Sequence, residues 1–77
     1  MNQRSALREL VGMLLHKRGD DQPFVDSDSL LMSGRLQSVD ALEIILFLEQ
    51  KYGFDFSDRP FDQAQIDSVE SLVALLG

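Results

Sequence analysis

The sequence has no cysteine, and this absence excludes several classes of protein. Without thiols the chain cannot build a disulfide scaffold, a thiolate metal site or a cysteine nucleophile. No uninterrupted apolar stretch approaches the roughly 20 residues that a membrane-spanning helix needs. The opening sequence MNQRSALREL also lacks the apolar core of a secretory signal. We therefore expect a cytoplasmic protein with no membrane insertion.

Basic residues are scarce: seven Lys and Arg stand against thirteen Asp and Glu, for a net charge of −6. This balance argues against nucleic acid as a partner, because a phosphate backbone is bound through positive charge. It favours partners with basic protein surfaces, which long-range electrostatics would steer towards the chain. With 77 residues, the chain is expected to be one domain, 1–77, and a monomer.

Apolar residues at helical spacing predict two long helices. The first is predicted over about 3–18, with an apolar stripe of Leu7, Leu10, Val11, Leu14 and Leu15, and Gly19 as its stop. The second is predicted from Val39 to Tyr52, with Gly53 as its stop. Its wide apolar arc consists of Ala41, Leu42, Ile44, Ile45, Leu48 and Tyr52.

The remaining segments predict a long loop and two further helices. Residues 19–37 lack a sustained period, and a loop of this length is often functional. Pro60 could open a short helix over about 60–65. Asp67 and Glu70 have the spacing of a capping box at the start of the last helix. The predicted fold is all-α, with three main helices, one short helix and a long first connection.

Two kinds of chemical site are disfavoured by the sequence. The segment from Asp26 to Gln37 begins like a calcium loop, but Leu31 stands where glycine is needed and Gln37 stands where a bidentate glutamate belongs. A hydrolytic triad is equally unsupported, because the only histidine, His16, lies at the far end of the first helix. We therefore assign no catalytic residue and no metal ligand.

Ser38 lies where the polar loop meets the second helix. The simplest interpretation is an N-cap, in which the hydroxyl accepts a hydrogen bond from a backbone N–H. The same position suits a phosphoester, because a helix N-terminus presents unpaired N–H groups and partial positive charge.

The stretch SGRLQSVDALEIILFLEQKYGFDF and the order of the predicted helices resemble the acyl carrier protein family, or phosphopantetheine-binding carrier domains more broadly. The family places a serine at the start of its second helix, with a glycine shortly upstream and an apolar helix studded with acids downstream. Here Gly34 matches the glycine and Ser38 the serine, and Glu43, Glu49 and Tyr52 fit the downstream pattern. The resemblance covers the whole chain.

This resemblance implies a four-helix carrier bundle without catalysis of its own. Ser38 would carry 4′-phosphopantetheine, whose thiol holds an acyl or aminoacyl group as a thioester. A phosphopantetheinyl transferase would attach the arm, and acyl-loading and acyl-transfer enzymes would dock through basic surfaces. The docking face would comprise Val39, Asp40, Glu43, Leu46 and Phe47. Fatty acyl, polyketide, aminoacyl and D-alanyl carriers share the layout, so the cargo and pathway stay open.

The sequence departs from the family beside the serine, where Gln37 and Val39 replace the usual Asp and Leu. In the family that aspartate contributes to recognition by the transferase. An alternative therefore stays open: a carrier-like helical protein-interaction module without a prosthetic group. Two further serines, Ser29 and Ser68, follow an aspartate, but their positions in the chain favour turn or cap roles over attachment.

Overall fold

The structure, a computed structural model, describes residues 3–55 and 62–76. It confirms the predicted all-α class. The described residues form three α-helices, α1 (Gln3–Lys17), α2 (Ser38–Tyr52) and α3 (Val69–Leu76), with a 3-10 turn at Gln63–Ile66. No helix in the described ranges has the length and hydropathy to cross a membrane.

The first helix forms as its apolar spacing predicts. All five residues of the predicted stripe, Leu7, Leu10, Val11, Leu14 and Leu15, are buried. α1 ends at Lys17, and Gly19 follows it with a φ of 80°, a conformation that side-chain-bearing residues rarely adopt. The N–H of Gly19 donates to the carbonyl of His16 at 2.9 Å, so the last turn closes on itself.

The second helix begins one residue earlier than predicted. Gln37 is the N-cap, with extended backbone angles, and Ser38 is the first helical residue. The backbone N–H of Gln37 donates to Oδ2 of Asp40 at 2.9 Å, the return bond of a capping box. At the other end Gly53 has the predicted role: it is left-handed at φ 64°, and its N–H donates to the carbonyl of Glu49 at 3.1 Å.

The two C-terminal elements form at positions that differ from those predicted. The short element is a 3-10 turn at Gln63–Ile66, capped by Asp62, rather than a helix over 60–65. Pro60, the proposed start, lies outside the described residues. The predicted Asp67–Glu70 capping box is wrong. Ser68 is the cap of α3, and its Oγ accepts a hydrogen bond from the N–H of Ser71 at 3.0 Å.

The helices enclose one apolar core. α3 packs against α1 and against the 3-10 turn. α1 and α2 run antiparallel, because the end of α1 meets the start of α2 and the middle of α1 faces the end of α2. The core also includes leucines of the long connection. Its buried members are Leu7, Leu10, Val11, Leu14, Leu15, Leu30, Leu31, Leu36, Ala41, Ile44, Leu48, Ile66, Val69 and Leu72.

Ion pairs stabilise the connection between α1 and α2. Near its start, Asp20 accepts hydrogen bonds from the guanidinium of Arg35 at 3.1 and 3.3 Å. In its middle, Asp26 is bound by the guanidinium groups of Arg4 and Arg8. The Arg35 hydrogen bond lowers the pKa of Asp20, and the Arg4 hydrogen bond lowers that of Asp26. One pair thus joins the two ends of the connection, and the other binds its middle to α1.

Candidate functional site

Ser38 presents its hydroxyl at the surface. The residue is exposed, and its Oγ has no hydrogen-bond partner within residues 3–55 and 62–76. The expected N-cap role of Ser38 is therefore wrong, since Gln37 occupies that position. At the first helical position the side chain is not needed to satisfy the backbone. The hydroxyl is accordingly available for other chemistry.

An apolar groove, which we call the α2 groove, begins beside this hydroxyl. It has a volume of about 290 Å³ and is lined by Ser38, Ala41, Leu42, Ile45 and Gln63. The first four of these residues come from successive turns of α2, and Gln63 opens the 3-10 turn. The groove joins the Ser38 hydroxyl to an apolar surface, an arrangement that suits an attached group with an apolar end.

Asp40 lies two residues after Ser38, but its carboxylate faces inward. The residue is only 7% exposed, and its Oδ2 binds both the guanidinium of Arg18 and the backbone N–H of Gln37. Arg18 directly follows α1, so this contact joins the end of α1 to the start of α2. Asp40, predicted as a docking residue, is thus a buried structural acid in this fold.

Apolar side chains cover the outer surface of α2. Val39, Leu42 and Leu46 are 58%, 60% and 53% exposed. Their spacing of three and then four residues places them in one row, the outer stripe of α2. Leu42 belongs to the wide apolar arc predicted for this helix, but it is exposed, whereas Ala41, Ile44 and Leu48 of that arc are buried.

The other two predicted docking residues border this stripe. Glu43 is partly exposed and lies 3.5 Å from the ammonium of Lys17. Phe47 is half-buried and meets Tyr52 edge to face, with ring centroids 6.0 Å apart. Nζ of Lys51 lies 5.7 Å from the centre of the Phe47 ring. Phe47 therefore packs into the groove between α1 and α2 and contributes less to the outer surface than expected.

Asp67 makes contacts that the sequence did not predict. Its Oδ1 accepts hydrogen bonds from the backbone N–H groups of Leu31 at 2.8 Å and Met32 at 2.9 Å. Its own carbonyl accepts the N–H of Leu30 at 2.8 Å. Burial raises the pKa of the Asp67 carboxyl. The nearby Ser29 hydroxyl and the hydrogen bonds from the backbone N–H groups outweigh burial, so the pKa lies below its usual value.

The structure also places the two alternative serines and the histidine. Ser68 caps α3, one of the two roles expected of it. Ser29 is partly buried in the connection, and its Oγ has no hydrogen-bond partner among the described residues. Nδ1 of His16 lies 2.6 Å from Oδ1 of the exposed Asp21, and this hydrogen bond raises the pKa of the imidazole. No cluster of potential metal ligands occurs among the residues that the structure describes.

Three comparisons with known proteins identify no relative. Neither a protein-family model, nor a curated protein, nor a solved structure matches the chain.

Proposed function

We propose that the chain is a free-standing carrier protein that holds an acyl or aminoacyl group as a thioester on 4′-phosphopantetheine at Ser38 and delivers it to partner enzymes. The observation that supports this most directly is the Ser38 hydroxyl. It is exposed, has no partner in the described ranges and stands at the first turn of a helix. The chain itself has no cysteine, so the thiol for a thioester would come from the attached group.

The residues around Ser38 fit a phosphodiester. The backbone N–H groups of Asp40 and Ala41 donate to the carbonyl of Gln37, whereas those of Ser38 and Val39 have no acceptor in the described part of the chain. These N–H groups and the helix dipole would stabilise negative charge on an oxygen bound to Ser38. The neighbouring Asp40 carboxylate is neutralised by Arg18, which limits its repulsion of a phosphate.

Ser38 would hold the arm, and the α2 groove would take an apolar part of the arm or its cargo. When bound, phosphopantetheine supplies the thiol that forms the thioester. Ala41, Leu42 and Ile45 offer apolar surface and Gln63 offers an amide for a polar group. The protein's own contribution is to tether the cargo and to present it at high effective concentration to a docked enzyme.

Partner enzymes would dock on the outer stripe of α2, beside the attachment site. The stripe offers three exposed apolar side chains, and Glu43 and Glu49 offer negative charge next to them. An apolar centre with charged surroundings is the usual composition of a protein interface. The net charge of −6 favours partners with basic surfaces, among them the phosphopantetheinyl transferase. The proposed docking face therefore includes Leu42 and excludes the buried Asp40.

The direct test is intact-protein mass spectrometry after incubation with coenzyme A and a broad-specificity phosphopantetheinyl transferase. We expect a single phosphopantetheinyl addition, which peptide mapping assigns to Ser38. The Ser38→Ala variant should show none, while Ser29→Ala should be modified like the wild type. If the folded wild type stays unmodified with this transferase and with one from the source organism, the carrier proposal is refuted.

A helical interaction module without a prosthetic group is the second candidate. The exposed outer stripe favours it, because an apolar row on a helix can bind a partner with no chemistry at Ser38. Gln37, in place of the family's aspartate, favours it as well. The two proposals differ in one variant: Ser38→Ala should abolish a carrier's function, whereas an interaction module should tolerate it.

A further inference from the structure

We infer that Asp67 is a positioning residue for the attachment site, acting through the backbone of residues 30–36 to fix the Ser38 hydroxyl. The inference rests on the proposed carrier function. Asp67 lies in the turn before α3, far from Ser38 in sequence, and makes no contact with the α2 groove. Its carboxylate is nevertheless buried and directed at the segment that precedes α2.

The anchor consists of the hydrogen bonds that Asp67 accepts from the connection. The Asp67 carboxylate accepts two consecutive backbone N–H groups, from Leu31 and Met32, and the Asp67 carbonyl accepts the N–H of Leu30. Three successive residues of the connection are thus bound to one residue. Hydrogen bonds to a charged acceptor are stronger than neutral ones, so this contact fixes the chain firmly at residues 30–32.

A closed turn of the backbone links the anchor to α2. The N–H of Leu36 donates to the carbonyl of Leu30 at 2.8 Å, and the N–H of Gly34 donates to the carbonyl of Leu31 at 3.1 Å. Residues 30–36 therefore form a closed turn, in which the buried Leu30 and Leu36 face the core. Gln37, the cap of α2, follows this turn directly, and Ser38 follows Gln37.

The role of Asp67 is not to cap α3. Ser68 already caps that helix through Ser71, so Asp67 is not needed for this role. The Ser38 hydroxyl makes no hydrogen bond to the residues that line the α2 groove, or to any other residue within 3–55 and 62–76. The backbone that enters α2 consequently sets the position of the Ser38 Cβ, and with it the region that the hydroxyl can reach.

The transfer reaction gives this geometry a measurable consequence. A bond forms between Oγ of Ser38 and the phosphorus of coenzyme A that bears the pantetheine arm. The phosphoanhydride bond breaks, 3′,5′-adenosine bisphosphate leaves, and the hydroxyl proton passes to a base of the transferase. Attack by a misplaced hydroxyl is slow even when the two proteins dock normally. Loss of the anchor should therefore lower kcat and leave KM for the carrier nearly unchanged.

Steady-state transfer from coenzyme A, measured against carrier concentration, tests the inference. We expect Asp67→Ala to lower kcat by about tenfold, because small displacements of a reacting group have effects of at least this size. Asp67→Asn keeps a side-chain oxygen for the two N–H groups and should retain most of the rate. Ser68→Ala is the matched control: it weakens α3 but leaves the anchor intact. An unfolded fraction would raise KM without lowering kcat.

Amide signals in ¹⁵N NMR spectra provide a second measurement that needs no transferase. Asp67→Ala should shift the signals of Leu36 to Val39, whereas Ser68→Ala should leave them in place. If Asp67→Ala does not fold, Asp67→Glu, which displaces the carboxylate by one carbon, replaces it. Equal kcat values for the Ala variants of Asp67 and Ser68, or unchanged amide signals, would overturn the inference. An unmodified wild type instead refutes the carrier proposal, and the amide signals then decide the positioning role.

Discussion

Asp40 and Glu43 look equivalent in the sequence, as two acids on the polar side of α2, but their substitution should have very different effects on stability. The Asp40 side chain is 10% exposed and binds Arg18 and the Gln37 N–H. The Glu43 side chain is 43% exposed and lies 3.5 Å from Lys17. We therefore expect Asp40→Ala to destabilise the fold and Glu43→Ala to leave it almost unchanged.

The expected size follows from the contacts of each carboxylate. Asp40→Ala removes a cap hydrogen bond, which is worth about 1 kcal/mol, and a partly buried ion pair. Arg18 can still reach water, so the loss of the pair costs less than in a dry interior, and we expect about 2 kcal/mol in total. In a domain of this size such a loss lowers the melting temperature by roughly 10 °C. An exposed pair such as Glu43–Lys17 contributes less than about 0.5 kcal/mol.

The assay is thermal and urea unfolding followed by circular dichroism, with Asp40→Asn as an intermediate variant. Asp40→Asn keeps an oxygen for the Gln37 N–H and loses the charge, so it should fall between the wild type and Asp40→Ala. A double-mutant cycle with Arg18→Ala should show that the two single losses are not additive. Equal and small effects of Asp40→Ala and Glu43→Ala would refute the assignment of Asp40 as a structural acid.

Three further predictions concern acid stability, the outer stripe and the end of α2. The pKa of Asp26 and of Asp67 is lowered from 3.8, so the unfolded chain binds protons that the folded chain does not. The stabilisation from these two carboxylates should be complete above pH 3.8 and should disappear as pH falls through their lowered pKa values in the folded state. Urea titrations at several pH values would measure this trend, and Asp67→Asn should weaken it. In the same unfolding assay, Leu42→Ala should lower the free energy of unfolding by less than about 0.5 kcal/mol. Ile44 is fully buried, so Ile44→Ala should lower it by about 2–5 kcal/mol. Gly53→Ala should cost about 1 kcal/mol, because it forces a side chain into a left-handed conformation, and a matched Gly12→Ala change within α1 should not destabilise.

The helices could be predicted from sequence because their signals are local. The apolar stripe of α1 repeats with the helical period, and glycines stand where α1 and α2 end. Both features depend only on neighbouring residues, which is why the all-α class and the long connection were predicted correctly. The start of α2 was displaced by one residue, since Gln37 and Ser38 are both polar and the pattern does not distinguish a cap from the first helical residue.

The environment of the individual acids and leucines could not be predicted in this way. A helical wheel gives the angle of Leu42 and Asp40, but the neighbours that cover each sector come from distant segments. Arg18 binds the carboxylate of Asp40 on the inner side, and Leu42 remains 60% exposed although Gln63 lies across the same groove. Asp67 shows the same limit: its spacing to Glu70 predicted a local cap, whereas its partners lie more than thirty residues away.

The Asp67 anchor has a consequence for the order in which the protein folds. Every hydrogen bond that it makes to the connection joins residues separated by at least 35 positions along the chain. A further bond of this kind joins the N–H of Glu70 to the carbonyl of Asp26. Contacts between distant residues form late, because closing a long loop costs entropy before any contact is gained. The turn that leads into α2 must therefore wait for the last segment of the chain, and a nascent chain that has yet to reach Asp67 would present Ser38 on an unfixed backbone.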